Sequence, residues 1–141
     1  MAERAGRQPA VQAAKKPKAP TSRQRTGQRG ETVARAFLER RGYEVIATNY
    51  RSPWGEVDIV AQDGPALVFV EVKTRRSTTF GAAVEAVTAA KAKRLVATAQ
   101  HYVAEHGLDV PWRVDLVAID PSPRPGLARV TLVRNAVSET A

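Results

Sequence analysis

Residues 55–73 read GEVDIVAQDGPALVFVEVK, and this stretch decides the fold. Each half alternates between apolar and polar side chains, as a β-strand does. The residues Asp63-Gly64-Pro65 between the halves form a turn signal. The pattern predicts two antiparallel strands joined by a tight turn.

The charged residues of this hairpin fall on defined faces of the strands. Glu56 and Asp58 share one face and Glu71 and Lys73 share another, because side chains alternate with a period of two. If the loop has an even number of residues, both sets lie on the same face of the sheet. In one such register Asp58 is opposite Glu71, and in a register slipped by two residues Glu56 is.

This cluster predicts a metal site at the end of the hairpin far from its turn. Buried acids are costly unless they are paired or bind a cation. Mg²⁺ or Mn²⁺ takes carboxylate oxygens, which Asp58 and Glu71 would supply. Lys73 beside the ion would orient and help to deprotonate an attacking water, which is the chemistry of phosphodiester hydrolysis. Glu-x-Lys alone is also a common pattern of exposed strands.

The rest of the chain predicts an α/β domain with a mixed central sheet and a helix on each face. The further elements are a helix from about Gly27 to Arg41, a strand Tyr43–Asn49, a helix Thr88–Glu105, and strands Trp112–Ile119 and Ala128–Arg134. Glu31 would lie in the first turn of the first helix, where the helix dipole favours an acid. Trp54, beside Pro53, is interpreted as a hydrophobic plug rather than a base-stacking platform.

Several cations have two interpretations each. Arg51 and Arg75 lie in predicted loops, where they are either solvated or in contact with phosphate. Lys91 is near the buried side of its helix, where a lysine usually extends its ammonium group to solvent. Arg113 and Asp115 share a strand face and are expected to pair with each other.

The 141 residues, 43% hydrophobic and 26% charged, fit one globular domain without cysteine. We found no apolar run near the ~20 residues of a membrane span and no apolar core of a secretory signal, so we expect a cytoplasmic protein. The net charge of +8 is concentrated in residues 1–29, which carry +7. Residues 1–27 are expected to form a disordered basic tail, either a phosphate-binding arm or a solubilising leader. A nuclease-like domain would span residues 28–137, and residues 138–141 would form a C-terminal tail.

Several motifs together resemble the YraN family of small uncharacterised bacterial proteins. They are Gly30-Glu31, Gly55–Val60, Val68–Arg75, Lys91 and Arg113–Asp115, so the match covers about residues 27–120. That family resembles the PD-(D/E)XK nucleases, most closely the archaeal Holliday-junction resolvases. The resemblance implies a restriction-endonuclease-like αβββαβ core.

The resemblance also implies roles for individual residues. Asp58 and Glu71 would bind the metal, Glu31 would be the helix-borne acid that completes its shell, and Lys73 would be the catalytic lysine. Lys91 and Arg75 would contact phosphate, and Arg51 is a further candidate for this.

The sequence thus predicts a Mg²⁺- or Mn²⁺-dependent endonuclease acting on structured or damaged DNA. RNA is the less favoured substrate. The alternative is a non-catalytic nucleic-acid-binding or adaptor protein that retains a nuclease fold. Resolvase-like proteins cut two strands symmetrically, which suggests a homodimer.

Overall fold

The computed structural model of the chain describes residues 22–75, 87–122, 124 and 126–137. These residues contain two helices and five strands. They are α1 (Ser22–Arg40), β1 (Glu44–Ser52), β2 (Gly55–Asp63), β3 (Ala66–Thr74), α2 (Ala89–Glu105), β4 (Trp112–Pro121) and β5 (Ala128–Val137). The predicted order of one helix, three strands, one helix and two strands is confirmed.

The five strands form one mixed sheet in the order β1-β2-β3-β4-β5. All neighbours are antiparallel except β3 and β4, which run parallel. Parallel neighbours need a crossover connection, and α2 lies in the segment that joins these two strands. The prediction of a mixed α/β sheet is therefore confirmed.

The two helices cover opposite faces of the sheet, as predicted. Ala34 and Leu38 of α1 belong to a buried cluster that includes Ile59, Val68 and Val70. On the other face, the buried residues of α2 pack with those of the central strands: Leu95, Ala99 and Tyr102 with Val60 and Phe69. Each strand in the middle of the sheet is thus apolar on both sides.

The loop of the hairpin β2–β3 has an even number of residues, which is the condition on which the predicted site depends. Asp63 pairs with Ala66, so the loop consists of Gly64 and Pro65. Gly64 has φ +60°, a left-handed conformation that glycine adopts without steric cost. The ladder ends with the pair of Ile59 and Val70, so Asp58 and Glu71 are the next residues of the two strands beyond it.

The first helix begins earlier than predicted. It starts at Ser22 rather than near Gly27, so residues 22–27 belong to α1 and not to the tail. The reason is that this segment lacks the apolar stripe by which a helix is recognised in a sequence. Glu31 consequently lies well inside the helix, and the explanation by the helix dipole is wrong. Residues 1–21 and 138–141, on which the predictions of two tails fall, lie outside the described residues.

The plug interpretation of Trp54 is also wrong. Its side chain is 54% exposed in the turn between β1 and β2. Neither described helix is both long and apolar enough to cross a membrane.

Candidate active site

Asp58 and Glu71 lie where β2 and β3 separate from each other. The ladder between the strands ends at Ile59 and Val70, one residue before this pair. Beyond that point the backbone N–H of Val72 donates to Oδ2 of Asp58 at 2.7 Å. Because the strands separate here, the carboxylates of Asp58 and Glu71 line an opening at the edge of the ladder. The strand register brings Asp58 and Glu71 to the same end of the hairpin, as the sequence predicts.

Glu71 is paired with a lysine from the facing helix. Oε2 of Glu71 lies 2.5 Å from Nζ of Lys91, and the Glu71 side chain is 11% exposed. Thr88, the first residue of the predicted helix, caps α2 by accepting from the N–H of Lys91. Lys91 therefore stands in the first turn of α2 and directs its ammonium group to the carboxylate rather than to open solvent.

The environment of Asp58 disfavours its charged form. Burial raises the pKa of this carboxyl to about 7, and the negative charge of Glu71 is the next cause. The hydrogen bond from Val72 acts in the opposite direction, while Glu31 and Glu56 raise the pKa further. Asp58 is thus surrounded by acids from two strands and a helix.

Glu31 reaches this region from α1 on the other face of the sheet. Its Oε1 accepts a hydrogen bond from Nδ2 of Asn49 at 3.2 Å, and Asn49 has the left-handed φ of +53° near the end of β1. The neighbouring Gly30 allows the close approach of α1 to β3, because a Cβ at this position would collide with Oγ1 of Thr74. The helix and β3 therefore meet near the site, next to Glu31.

Lys73 follows Glu71 by two residues and points to the same side of β3 by strand alternation. Its side chain is exposed, and it has no hydrogen bond or ion pair with another described residue. The two lysines of the region therefore differ. Lys91 pairs with a carboxylate inside the cleft, whereas Lys73 is exposed and is not among the residues that line the cleft.

A cleft of about 280 Å³ lies between the strand ends and α2. It is lined by Gly55, Glu56, Asp58, Glu71, Lys91, Arg94 and Leu95. Acids form its sheet side and cations form its helix side. Within the described ranges, no group of three or more His, Cys, Asp or Glu side chains is arranged to hold a metal ion.

The remaining predicted nucleic-acid contacts are engaged within the protein. Arg51 pairs with Glu56 at 3.2 Å (Nε to Oε1), and its side chain is 81% exposed. Arg75 forms a two-point ion pair with Asp120, in which Nε and Nη2 donate to Oδ1 and Oδ2 at 2.5 and 2.8 Å. The prediction that Arg51 lies in a loop is wrong, because β1 continues to Ser52 and Arg51 pairs with Glu56 across the ladder. Arg51 is exposed, whereas Arg75 is tied to β4.

Sequence reasoning missed Arg94 and Asn49. Arg94 lies one helical turn after Lys91, a spacing of three that places both on one face of α2. That signal was present in the sequence. No comparable signal marked Asn49, because its contact with Glu31 depends on how α1 packs against the sheet.

The predicted pair of Arg113 and Asp115 is confirmed, and it belongs to a buried network near the β2–β3 turn. Nε of Arg113 lies 3.0 Å from Oδ1 of the fully buried Asp115. Tyr43 donates its hydroxyl to the same carboxylate at 3.0 Å, and Nη2 of Arg113 also binds Asp63 at 2.7 Å. This network is structural and separate from the cleft.

Comparison with known proteins confirms the predicted family, because the YraN-like proteins are those described as UPF0102. The sequence model described as uncharacterised protein family UPF0102 matches residues 30–119. A UPF0102 protein of Dehalococcoides mccartyi is 44% identical over 120 residues, which cover 84% of this chain and 97% of that protein. One of Symbiobacterium thermophilum is 49% identical over 113 residues, covering 79% and 95%, and one of Roseiflexus castenholzii is 47% identical over 119 residues, covering 83% and 96%. These three relatives are matched along almost their whole length, and the chain therefore belongs to the UPF0102 family.

Proposed function

We propose that this protein is a metal-dependent endonuclease that hydrolyses phosphodiester bonds in structured or damaged DNA. The observation that carries the proposal is the adjacency of Asp58 and Glu71 at the point where β2 and β3 separate, inside a cleft whose opposite wall is cationic. The resemblance of these motifs to the PD-(D/E)XK nucleases supports the same conclusion.

The donor groups fit a hard divalent cation. Mg²⁺ and Mn²⁺ are commonly held by one or two carboxylates, with water and substrate phosphate as further ligands. Asp58 and Glu71 would hold the ion and Glu31 would complete its shell. One oxygen of Asp58 accepts from the N–H of Val72, and the other oxygen has no hydrogen bond with a described residue. A bound cation would also offset the repulsion that raises the pKa of Asp58.

The chain's own residues would divide the remaining work. A bound divalent ion supplies a more acidic water and stabilises developing negative charge. Lys73, exposed on the same side of β3 as Glu71, would orient the attacking water and, as an ammonium group, neutralise charge on the phosphate. Lys91 fixes the position of the Glu71 carboxylate through their ion pair. Arg94, on the same helix face, would contact the phosphate backbone.

DNA is favoured over RNA on the resemblance alone, and a homodimer is proposed because symmetric cleavage of two strands needs two sites. The residues after position 29 are nearly neutral, so affinity would depend on the local cations of the cleft rather than on a broad basic face. Light scattering of the purified chain tests the dimer by itself.

The direct test is cleavage of branched, flapped and single-stranded DNA in the presence of Mn²⁺. We expect Asp58→Ala and Lys73→Ala each to lower the cleavage rate by about 10²-fold or more, since both groups act in the same step. Asp120→Asn is the matched control, because it removes an acid outside the cleft. Equal activity in the wild type, Asp58→Ala and Lys73→Ala would contradict the assignment.

One observation favours a second function, that of a non-catalytic nucleic-acid-binding protein. Lys91 already neutralises Glu71, so the carboxylate does not need a metal ion for charge balance. Under this alternative the wild type would bind DNA in the cleavage assay without cutting any of the three substrates.

A further inference from the structure

Trp54 is an exposed indole beside the cleft. It occupies the turn between β1 and β2, immediately before Gly55 and Glu56, both of which line the cleft. Its side chain is 54% exposed, although tryptophan is among the residues that gain most from burial. A large apolar side chain thus stands in solvent next to the proposed phosphate site.

The turn that carries Trp54 is fixed to α2. Oγ of Ser52 accepts from the backbone N–H of Trp54 at 3.0 Å, and it also lies 3.2 Å from Oγ1 of the fully buried Thr98. Gly55 packs on the same helix, since a Cβ at this position would lie 3.7 Å from Cβ of Arg94. The indole is therefore presented from a backbone anchored to the helix that forms the cationic wall.

Two guanidinium groups belong to the same region. Arg94 lines the cleft and has no hydrogen bond or ion pair with another described residue. Arg51 is 81% exposed, and the Glu56 carboxylate that it contacts is itself 47% exposed. An exposed pair of this kind contributes little to stability, so Arg51 can exchange its partner for a phosphate at small cost.

We propose that Trp54 is a stacking platform for an unpaired base of a single-stranded nucleic acid, with Arg94 and Arg51 contacting the adjoining phosphates. This inference rests on the proposed function, because it assumes that the cleft binds the phosphate that is cut. It adds to that function the kind of strand that is bound. Bases stack on aromatic side chains regardless of sequence, because every base presents a π-face. In an intact duplex those faces are covered by neighbouring bases, so the platform would select unpaired strands and flaps.

The test is the affinity of the full chain for a labelled oligothymidylate, measured by fluorescence anisotropy in the presence of EDTA. Wild type is compared with Trp54→Ala and Trp54→Phe, and Ile46→Ala is the matched control. Ile46 is a large apolar residue in β1, 46% exposed, and its distance from the end of β1 that precedes Trp54 is roughly 20 Å. We expect Trp54→Ala to weaken binding by about tenfold, with Trp54→Phe close to wild type. Ile46→Ala should bind as wild type does.

The same variants are tested with a fully paired duplex and for cleavage with Mn²⁺. Equal affinity of wild type and Trp54→Ala for the single strand would overturn the platform, and so would an equal loss on the duplex. If the wild type cleaves DNA and Trp54→Ala cleaves it at the same rate, the result supports the nuclease and rejects the platform. Binding that depends on Trp54 in a protein that cuts no substrate would support the platform and reject the nuclease.

Discussion

Asp58 and Asp120 are two aspartates whose surroundings act on the carboxylate in opposite directions. Burial and the neighbouring Glu71 raise the pKa of Asp58 to about 7. Hydrogen bonds from Arg75 lower the pKa of Asp120 against the effect of burial. Folding therefore disfavours the ionised form of the first acid and favours the ionised form of the second.

The contrast predicts opposite effects of two substitutions on stability. Asp58 binds its proton more tightly in the folded than in the unfolded protein, so its contribution to stability falls as pH rises from about 4 to about 7. We expect Asp58→Asn to raise the free energy of unfolding at about pH 8 by about 2 kcal/mol. This is less than the free energy that corresponds to the whole rise in the pKa of Asp58, because an amide oxygen accepts a weaker hydrogen bond from Val72 than a carboxylate does. The gain should vanish near pH 4. Urea unfolding of the metal-free protein at several pH values measures it.

Asp120→Asn is the control of opposite sign. Its lowered pKa stabilises the fold above the unfolded pKa, and this contribution is lost as pH falls through the folded pKa. We expect this variant to be less stable than wild type at about pH 8, with the difference shrinking below about pH 4. A gain in stability for Asp120→Asn, or a loss for Asp58→Asn, at the higher pH would contradict the electrostatic description.

The positions of individual site residues could be predicted where they depend only on the local sequence pattern. Asp58, Glu71 and Lys73 follow from the alternation of two strands. The contact of Lys91 with Glu71 was not predictable, because it depends on where α2 crosses the sheet. The exposure of Trp54 was mispredicted because neighbouring proline and serine residues do not reveal which way a turn faces.

At the scale of elements, the hairpin β2–β3 was the most predictable part of the fold. The turn signal limits the loop to a few residues, and an even loop forces the charged positions onto one face. The start of α1 was the least predictable boundary, since polar residues without an apolar stripe give no signal of a helix.

The buried network of Arg113 and Asp115 joins several elements at the end of the sheet far from the cleft. Asp115 in β4 accepts from Tyr43, which follows α1, and from the backbone N–H of Asn135 in β5 at 2.8 Å. Arg113 connects it to Asp63 at the end of β2. Three strands and the segment that follows α1 are thus linked through Arg113 and Asp115.

We expect Asp115→Asn to lower the free energy of unfolding by about 3 kcal/mol, because it leaves Arg113 partly unpaired in a buried site. Tyr43→Phe should cost about 2 kcal/mol, because it removes the hydrogen bond that the hydroxyl donates to Asp115 and the one that it accepts from Arg113. Glu39→Gln is the control: it removes the exposed pair with Arg35, at 3.3 Å, and should cost less than about 0.5 kcal/mol. Denaturant unfolding compares the three. A loss for Asp115→Asn no larger than for Glu39→Gln would show that the network is not what holds these elements.

At the scale of the whole molecule, stability and proposed chemistry occupy opposite ends of one sheet. The network lies at the turn end of β2–β3, and the cleft lies where these strands separate. This arrangement allows costly carboxylates to be tolerated at one end because the other end and both apolar faces hold the fold. Element order and sheet class were accessible from the sequence, whereas the position of the helix wall over the carboxylates required the packed structure.

The central claim is that Asp58 and Glu71 together hold a divalent cation. Electron paramagnetic resonance of Mn²⁺ tests it most directly, since the signal of the free ion decreases on binding. At about pH 8, where Asp58 is mostly ionised, we expect saturable binding to wild type and to Asp120→Asn, and a loss of at least about tenfold in affinity for Glu71→Gln and Asp58→Asn. Binding of Mn²⁺ that is unaffected by Glu71→Gln, or no binding to the wild type, would contradict the account.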